Sequence, residues 1–231
     1  MTPIPKGGDS TNAGNYRPIS VLPIFSKIFE KVVYKQLYTY FVQNNILYEH
    51  QYGFRKHISS VQALLNHMQF MYDSIDSGNF VISVFLDFKK AFDTVDHKIL
   101  LPKLDFYGIR GVSHEWLKSY LSERNQITVI DGITSSSSSI SHGVPQGSVL
   151  GPLLFLIFIN DLPNSSSLFK FILFADDSTL STSFPEENAL EFTLTLNHEL
   201  NNVNAWLTPN RICINADKIK YMTFRTKNNC S

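Results

Sequence analysis

Two adjacent carboxylates, Asp176 and Asp177, stand between an apolar run, Leu168–Phe174, and a Thr/Ser-rich run, Ser178–Ser183. This pattern predicts a hairpin with both acids at its tip. A third acid, Asp87, closes Asn79–Asp87, a run of β-branched and aromatic residues that is too short for a typical helix and suits a central strand. If strand and hairpin are neighbours in one sheet, the carboxylates meet, as a pair of divalent cations about 3.5–4 Å apart requires. Hard oxygen ligands favour Mg²⁺ or Mn²⁺ over zinc. Such a pair activates a hydroxyl and steadies a leaving oxygen, which is the chemistry of phosphoryl transfer. Spacing alone leaves the plainer reading open, because aspartates at turns and strand ends commonly cap backbone groups and face water.

The elements that must position these acids are legible in outline. Thr2–Pro23, rich in Pro, Gly and Asn, reads as a strand, a turn around Gly7, Gly8 and Asp9, and a return through Tyr16–Ile19. Ile24–Val42 has helical periodicity, with Ile24, Ile28, Val32 and Leu37 as its apolar face and Lys27, Lys31 and Lys35 opposite. A second helix is expected over Ser59–Ser77, capped by Ser59 or Ser60 and stopped by Gly78. Helices are also expected over Asp96–Tyr107, Ser113–Ser122 and Glu186–Trp206. Gln126–Ile130 and Ser135–Ile140 read as a hairpin around Asp131 and Gly132, and the serine run 135–139 as exposed low complexity. Arg211–Ile214 and Lys220–Phe224 read as short strands. The most apolar stretch, Val149–Ile159, is shorter than the roughly 20 residues that span a bilayer and reads as a buried core helix. The sum is an α+β arrangement with helices on one face of a small sheet and the other face open.

Composition sets the limits. The chain has 231 residues, 43% hydrophobic and 13% aromatic, enough for a substantial core and too apolar for a disordered chain. Twenty basic and twenty acidic residues cancel, which excludes a protein that coats nucleic acid by bulk charge. A local basic groove stays open through Lys27, Lys31, Lys35, Arg55, Lys56, Lys89, Lys90, Lys218, Lys220, Arg225 and Lys227, although clusters of this kind are most often solvated faces. Cys213 and Cys230 have no metal-ligand spacing, and no charged-then-apolar leader is seen, so an intracellular, reduced protein is expected, nucleus and cytoplasm not being separated.

Three longer strings carry a resemblance. Phe85–His97 (FLDFKKAFDTVDH), Gly143–Phe155 (GVPQGSVLGPLLF) and Phe174–Asp177 (FADD) resemble reverse transcriptase motifs A, B and C, in that order. The likeness is to the non-LTR (LINE-type, jockey-like) retrotransposon reverse transcriptases. Flanking strings extend it over nearly the whole chain: Asn15–Pro23 (NYRPISVLP), Gln51–Arg55 (QYGFR), Trp116–Leu121 (WLKSYL) and Asn215–Lys218 (NADK).

The resemblance implies a right-hand polymerase with fingers and palm, helices packed on a small antiparallel palm sheet that carries the acids. Residues 1–78 would form a fingers-like lobe, with fingers elements recurring in 98–140, and 79–231 mainly the palm with motifs A to D. It implies an RNA-directed DNA polymerase that joins a dNTP to a primer 3′-hydroxyl on an RNA template, with two Mg²⁺ or Mn²⁺ ions. Asp87, the carbonyl of Phe88 and Asp176 would be metal ligands, and Asp177 a supporting acid that touches the metal less directly. Phe92 matches an aromatic gate that excludes a 2′-hydroxyl, where RNA-dependent RNA polymerases usually place an Asp. Gln146 and Gly147 would lie near the nucleotide, Lys6 and Arg17 at its triphosphate. Arg55 is a weaker candidate for template or nucleotide contact. Lys218 matches a motif D lysine that protonates the leaving pyrophosphate, although Ile212, Ile214 and Ile219 depart from the residues usual around it. On the same likeness the thumb and an endonuclease are not within this chain, so a fragment of a larger open reading frame is expected. The rival reading is a truncated or domesticated, catalytically inactive nucleic-acid-binding remnant. The expected partners are RNA template, DNA primer and dNTP, with no membrane; oligomeric state is left open.

Overall fold

A computed structural model describes residues 1–9, 11–130, 132–185 and 189–225. Asp131 of the expected turn, Glu186 at the expected helix start, Lys227 and Cys230 lie outside the described residues. In chain order the elements are β1 (Thr2–Pro5), β2 (Tyr16–Ile19), α1 (Ile24–Gln43), α2 (Ser60–Asp76), β3 (Asn79–Asp87), α3 (His97–Phe106), α4 (Gly111–Leu121), β4 (Arg124–Gln126), β5 (Val129–Ile130), β6 (Ile133–Thr134), β7 (Ser138–Ile140), α5 (Gly151–Phe158), β8 (Lys170–Phe174), β9 (Asp177–Pro185), α6 (Ala189–Leu207) and β10 (Lys220–Phe224). They fall into two compact units interleaved along the chain. Met1–Ile46 and Phe92–Phe158 form the first; Leu47–Ala91 and the chain from Ile159 onward form the second.

The second unit is built on a four-stranded antiparallel sheet in the order β10-β3-β9-β8. Side chains alternate across a strand, so β3 and β9 put Ser83, Phe85, Ser181 and Thr179 on one face and Val84, Leu86, Leu180 and Phe184 on the other. Both faces are covered. On the first, His67 of α2 meets Ser181 Oγ through Nδ1 at 3.3 Å and Phe85 ring to ring, while Ser181 Oγ also meets Ser83 Oγ at 2.9 Å. On the second, Phe192 of α6 stacks on Phe184 with centroids 4.1 Å apart. The sheet with one open face expected from the sequence is thus corrected to a sheet with helices on both sides. The near-continuous apolar run of β3 fits a strand buried on both faces.

The α2 cap falls as expected: Ser59 precedes the helix, Gln62 Oε1 accepts from Ser59 N–H at 2.8 Å, and Gly78, with φ +78°, ends the turn. Arg211–Ile214 is not a strand; only Ile214 pairs, in a single bridge with Phe88.

In the first unit α5 is the core element, every residue but Pro152 being buried. The expected hairpin appears as two nested ladders, β5 with β6 inside and β4 with β7 outside. Of the apolar face expected for α1, only Leu37 is buried. Ile24, Ile28 and Val32 are exposed, and the buried positions are Glu30, Leu37, Tyr38 and Phe41. Glu30, 1% exposed, explains the choice: Oε2 accepts from Val149 N–H at 2.6 Å and Leu150 N–H at 3.4 Å, and Oε1 from Tyr120 OH at 3.1 Å. This carboxylate secures the N-terminal approach to α5. Burial and then the Glu30 charge push the Tyr120 phenol up to about 12. Among the described residues no helix is long and apolar enough to cross a membrane.

Candidate active site

β3 ends on Asp87 and β9 begins on Asp177, and the two are directly opposite in the antiparallel register. Phe174 of β8 also pairs with Asp177, leaving Ala175 and Asp176 as the two-residue turn of the β8–β9 hairpin. Opposite residues of an antiparallel pair project from one face, and like charges there repel. Desolvation first, then the charges of Asp176 and Asp87, push the Asp177 carboxyl above the usual carboxylate range, while Lys218 pulls the other way. Asp87 and Asp176 are half-buried and Asp177 is exposed.

Asp87 is gripped from its other side by the chain leading into β10. Lys89 N–H donates to Cys213 O at 2.8 Å and Asn215 N–H to Asp87 O at 2.8 Å. These two bonds flank the Phe88–Ile214 bridge and leave the C=O of Phe88 directed away from Ile214. Asn215 Nδ2 then donates to Asp87 Oδ2 at 2.8 Å, and Lys218 Nζ lies 3.5 Å from the same oxygen. Arg55 is placed in this unit too, with Nη1 donating to the carbonyls of Tyr48, Glu49 and Gln51 at 3.1, 3.3 and 3.3 Å.

The remaining sequence candidates belong to the first unit. Phe92 packs its ring against Phe155 of α5, centroids 4.7 Å apart, and its carbonyl accepts from Val144 N–H at 2.8 Å. Gln146 Nε2 donates to Asp93 Oδ1 at 2.8 Å, and Gln146 O accepts from Ser20 N–H at 2.8 Å. Gly147 holds φ +97°, and a Cβ there would stand 3.1 Å from Ser20 O, so conformation and space both call for glycine. Lys6 Nζ donates to Gly14 O at 3.3 Å, and Arg17 projects exposed from β2.

The family described as reverse transcriptase (RNA-dependent DNA polymerase) matches residues 4–230. The chain belongs to the reverse transcriptase family. It is 30% identical over 234 residues to the RNA-directed DNA polymerase from mobile element jockey of Drosophila melanogaster, covering 96% of this chain and 25% of that protein. The chain therefore spans about a quarter of the length of that relative. In fold it is similar to apo telomerase from Candida tropicalis, with TM-score 0.57, 11% identity, and 88% of this chain and 41% of that one covered. It is also similar to the RNA-dependent RNA polymerase of a human picorbirnavirus, with TM-score 0.55, 14% identity, and 91% and 38% covered.

Within this reverse transcriptase chain, the second unit gathers Asp87, Asp176, Asp177, Phe88 and Lys218 around one end of its sheet, and adds Asn215, which spacing did not single out. Its sequence signal is its place at the head of the NADK string, three residues before Lys218. Among the described residues no group of three or more His, Cys, Asp or Glu is drawn close enough to enclose a metal ion. The donor chemistry nevertheless fits a hard divalent cation. Three carboxylates stand at one sheet end, where desolvation and then the charges of Asp176 and Asp87 raise Asp177, and the Lys218 ammonium lies 3.5 Å from Asp87 Oδ2.

Proposed function

We propose that this chain is the fingers and palm of an RNA-directed DNA polymerase from a non-LTR retrotransposon, adding dNTPs to a primer 3′-hydroxyl under the direction of an RNA template. The observation that carries the reading is the register that sets Asp87 opposite Asp177 with Asp176 in the adjoining turn. Asp87, Asp176 and the carbonyl of Phe88 would hold two Mg²⁺ or Mn²⁺ ions, with Asp177 in support. When bound, such ions supply acidification of the attacking hydroxyl and charge stabilisation at the leaving oxygen. The primer 3′-hydroxyl releases its proton to solvent as its oxygen bonds to the α-phosphorus, the bond from that phosphorus to the α,β-bridging oxygen breaks, and pyrophosphate leaves. Lys218 turns from Asp87 to give a proton to that leaving group. Its side chain is 67% exposed and has room to do so.

The first unit supplies selection. Lys6 and Arg17 bind the triphosphate, Arg17 with its planar fork and Lys6 as a compact charge. Gln146 and Gly147 line the nucleotide, and Phe92 excludes a 2′-hydroxyl, its ring held by Phe155. Phe92 separates this reading from RNA synthesis, because likeness of fold extends to RNA-dependent RNA polymerases and does not discriminate. The test is dTTP incorporation on poly(rA)/oligo(dT) with Mg²⁺ or Mn²⁺, followed by the Phe92→Val variant. Wild type incorporates dTTP and discriminates against UTP, and Phe92→Val admits UTP. No incorporation by wild type overturns the polymerase reading, and unchanged sugar selectivity in the variant removes the gate.

A further inference from the structure

β8 is the outer strand of its sheet, and the segment around Gln51 lies along its free edge. Leu173 N–H donates to His50 O at 2.9 Å, Tyr52 N–H donates to Leu173 O at 2.7 Å, and Gln51 pairs with Leu173 in a parallel bridge. Gln51 is 2% exposed, and its Oε1 accepts from Gly53 N–H at 2.8 Å and from Ala175 N–H at 3.1 Å. Two backbone donors fix which end of the amide is oxygen. The other end, Nε2, is buried and finds no partner among the described residues. Burying a donor in this way is unfavourable, so the side chain is held in place by what its oxygen accepts.

Two further observations concern the same contact. A Cβ on Gly53 would stand 2.1 Å from Ala175 N, so only glycine lets the segment approach this closely. Ala175 holds φ +58°, a left-handed conformation that a non-glycine residue keeps only where the surroundings over-determine it. Arg55, bonded to three carbonyls of residues 48–51, secures the segment from behind.

We infer that Gln51 is a positioning residue for the catalytic turn: its Oε1 holds the Ala175 amide and so fixes the left-handed residue that presents Asp176. Gly53 allows the approach and Arg55 anchors it. The kinetic consequence rests on the polymerase reading; the brace on the turn does not.

The test uses the full chain with Gln51→Ala and Gln51→Glu, the second keeping an acceptor and dropping the orphan donor. Hydrogen exchange at the Ala175 amide is read by NMR, and single-turnover dTTP incorporation on poly(rA)/oligo(dT) is read as rate against dTTP concentration. In Gln51→Ala, Ala175 exchange speeds up by about tenfold or more, and the maximal rate falls about 10- to 100-fold with the half-saturating dTTP concentration little changed, as expected for misplaced reacting groups. Gln51→Glu recovers most of both. Unchanged Ala175 exchange in Gln51→Ala overturns the proposal, as do equal losses in the two variants, which would mark a packing role only. If wild type incorporates nothing, the polymerase reading falls and the exchange comparison alone decides the brace.

Discussion

Asn215 reaches Asp87 twice, through its backbone N–H to the carbonyl and through Nδ2 to the carboxylate, both at 2.8 Å. A carboxylate held at Oδ2 has a fixed plane and turns Oδ1 away from its holder. If that orientation serves metal binding, Asn215→Ala weakens Mn²⁺ affinity by about 10-fold or more, the usual effect of removing a partner that orients a ligand. Mn²⁺ titration followed by electron paramagnetic resonance checks this; affinity equal to wild type would reduce Asn215 to a strand-end bond. The meeting of Asp87 with Asp176 and Asp177 at one sheet end was legible from the strand and hairpin patterns. Asn215 and Gln51 head strings that carry the resemblance, but what each holds was not legible, because each acts on a residue more than 120 positions away, and an amide in a sequence carries no sign of its partner.

At the scale of elements, α1 shows where periodicity misleads. Ile24, Ile28 and Val32 recur at helical spacing yet stand exposed, Leu37 alone of that face being buried, while a buried carboxylate, Glu30, sets the inward face through three hydrogen bonds. Glu30→Ala strands Val149 N–H, Leu150 N–H and Tyr120 OH and lowers stability by about 2–4 kcal/mol. The shift of the urea midpoint measures the loss, and Glu30→Gln loses less. β3, by contrast, spans the residues its composition predicts, since a central strand is rich in β-branched and aromatic residues, and its one interior polar residue, Ser83, is paired with Ser181. What its composition did not reveal is the second covering helix.

The packing of α2 carries a pH dependence. Burial first, then the Lys170 ammonium, holds His67 below the usual histidine range, so His67 is neutral where the unfolded chain begins to protonate. Its contribution to stability is complete above about pH 6.5 and is lost as pH falls from there through the folded value. His67→Gln therefore flattens the fall of Tm below about pH 6.5. A residual slope remains from His50, which burial also lowers. A Tm profile identical to wild type would contradict the linkage.

At the scale of the molecule, the chain visits each compact unit twice, so the cut at 78/79 suggested by motif order and the interleaved contact units divide the chain differently. Motif order is linear, whereas compactness follows contacts such as β3 with β9, nearly a hundred residues apart. One global consequence follows from the acid cluster. A divalent ion that binds the folded state raises Tm by mass action, so Mg²⁺ or Mn²⁺ stabilises wild type and does so less in Asp176→Asn; equal shifts would argue against these carboxylates as ligands. The most direct measurement compares wild type, Asp87→Asn and Asp176→Asn in primer extension on poly(rA)/oligo(dT) with Mg²⁺. Wild type should incorporate dTTP and both variants should lose at least about a thousandfold in rate, the order of effect expected when a group that acts only in the transition state is removed. Equal incorporation by all three proteins, or none by any, would contradict a polymerase centre at Asp87 and Asp176.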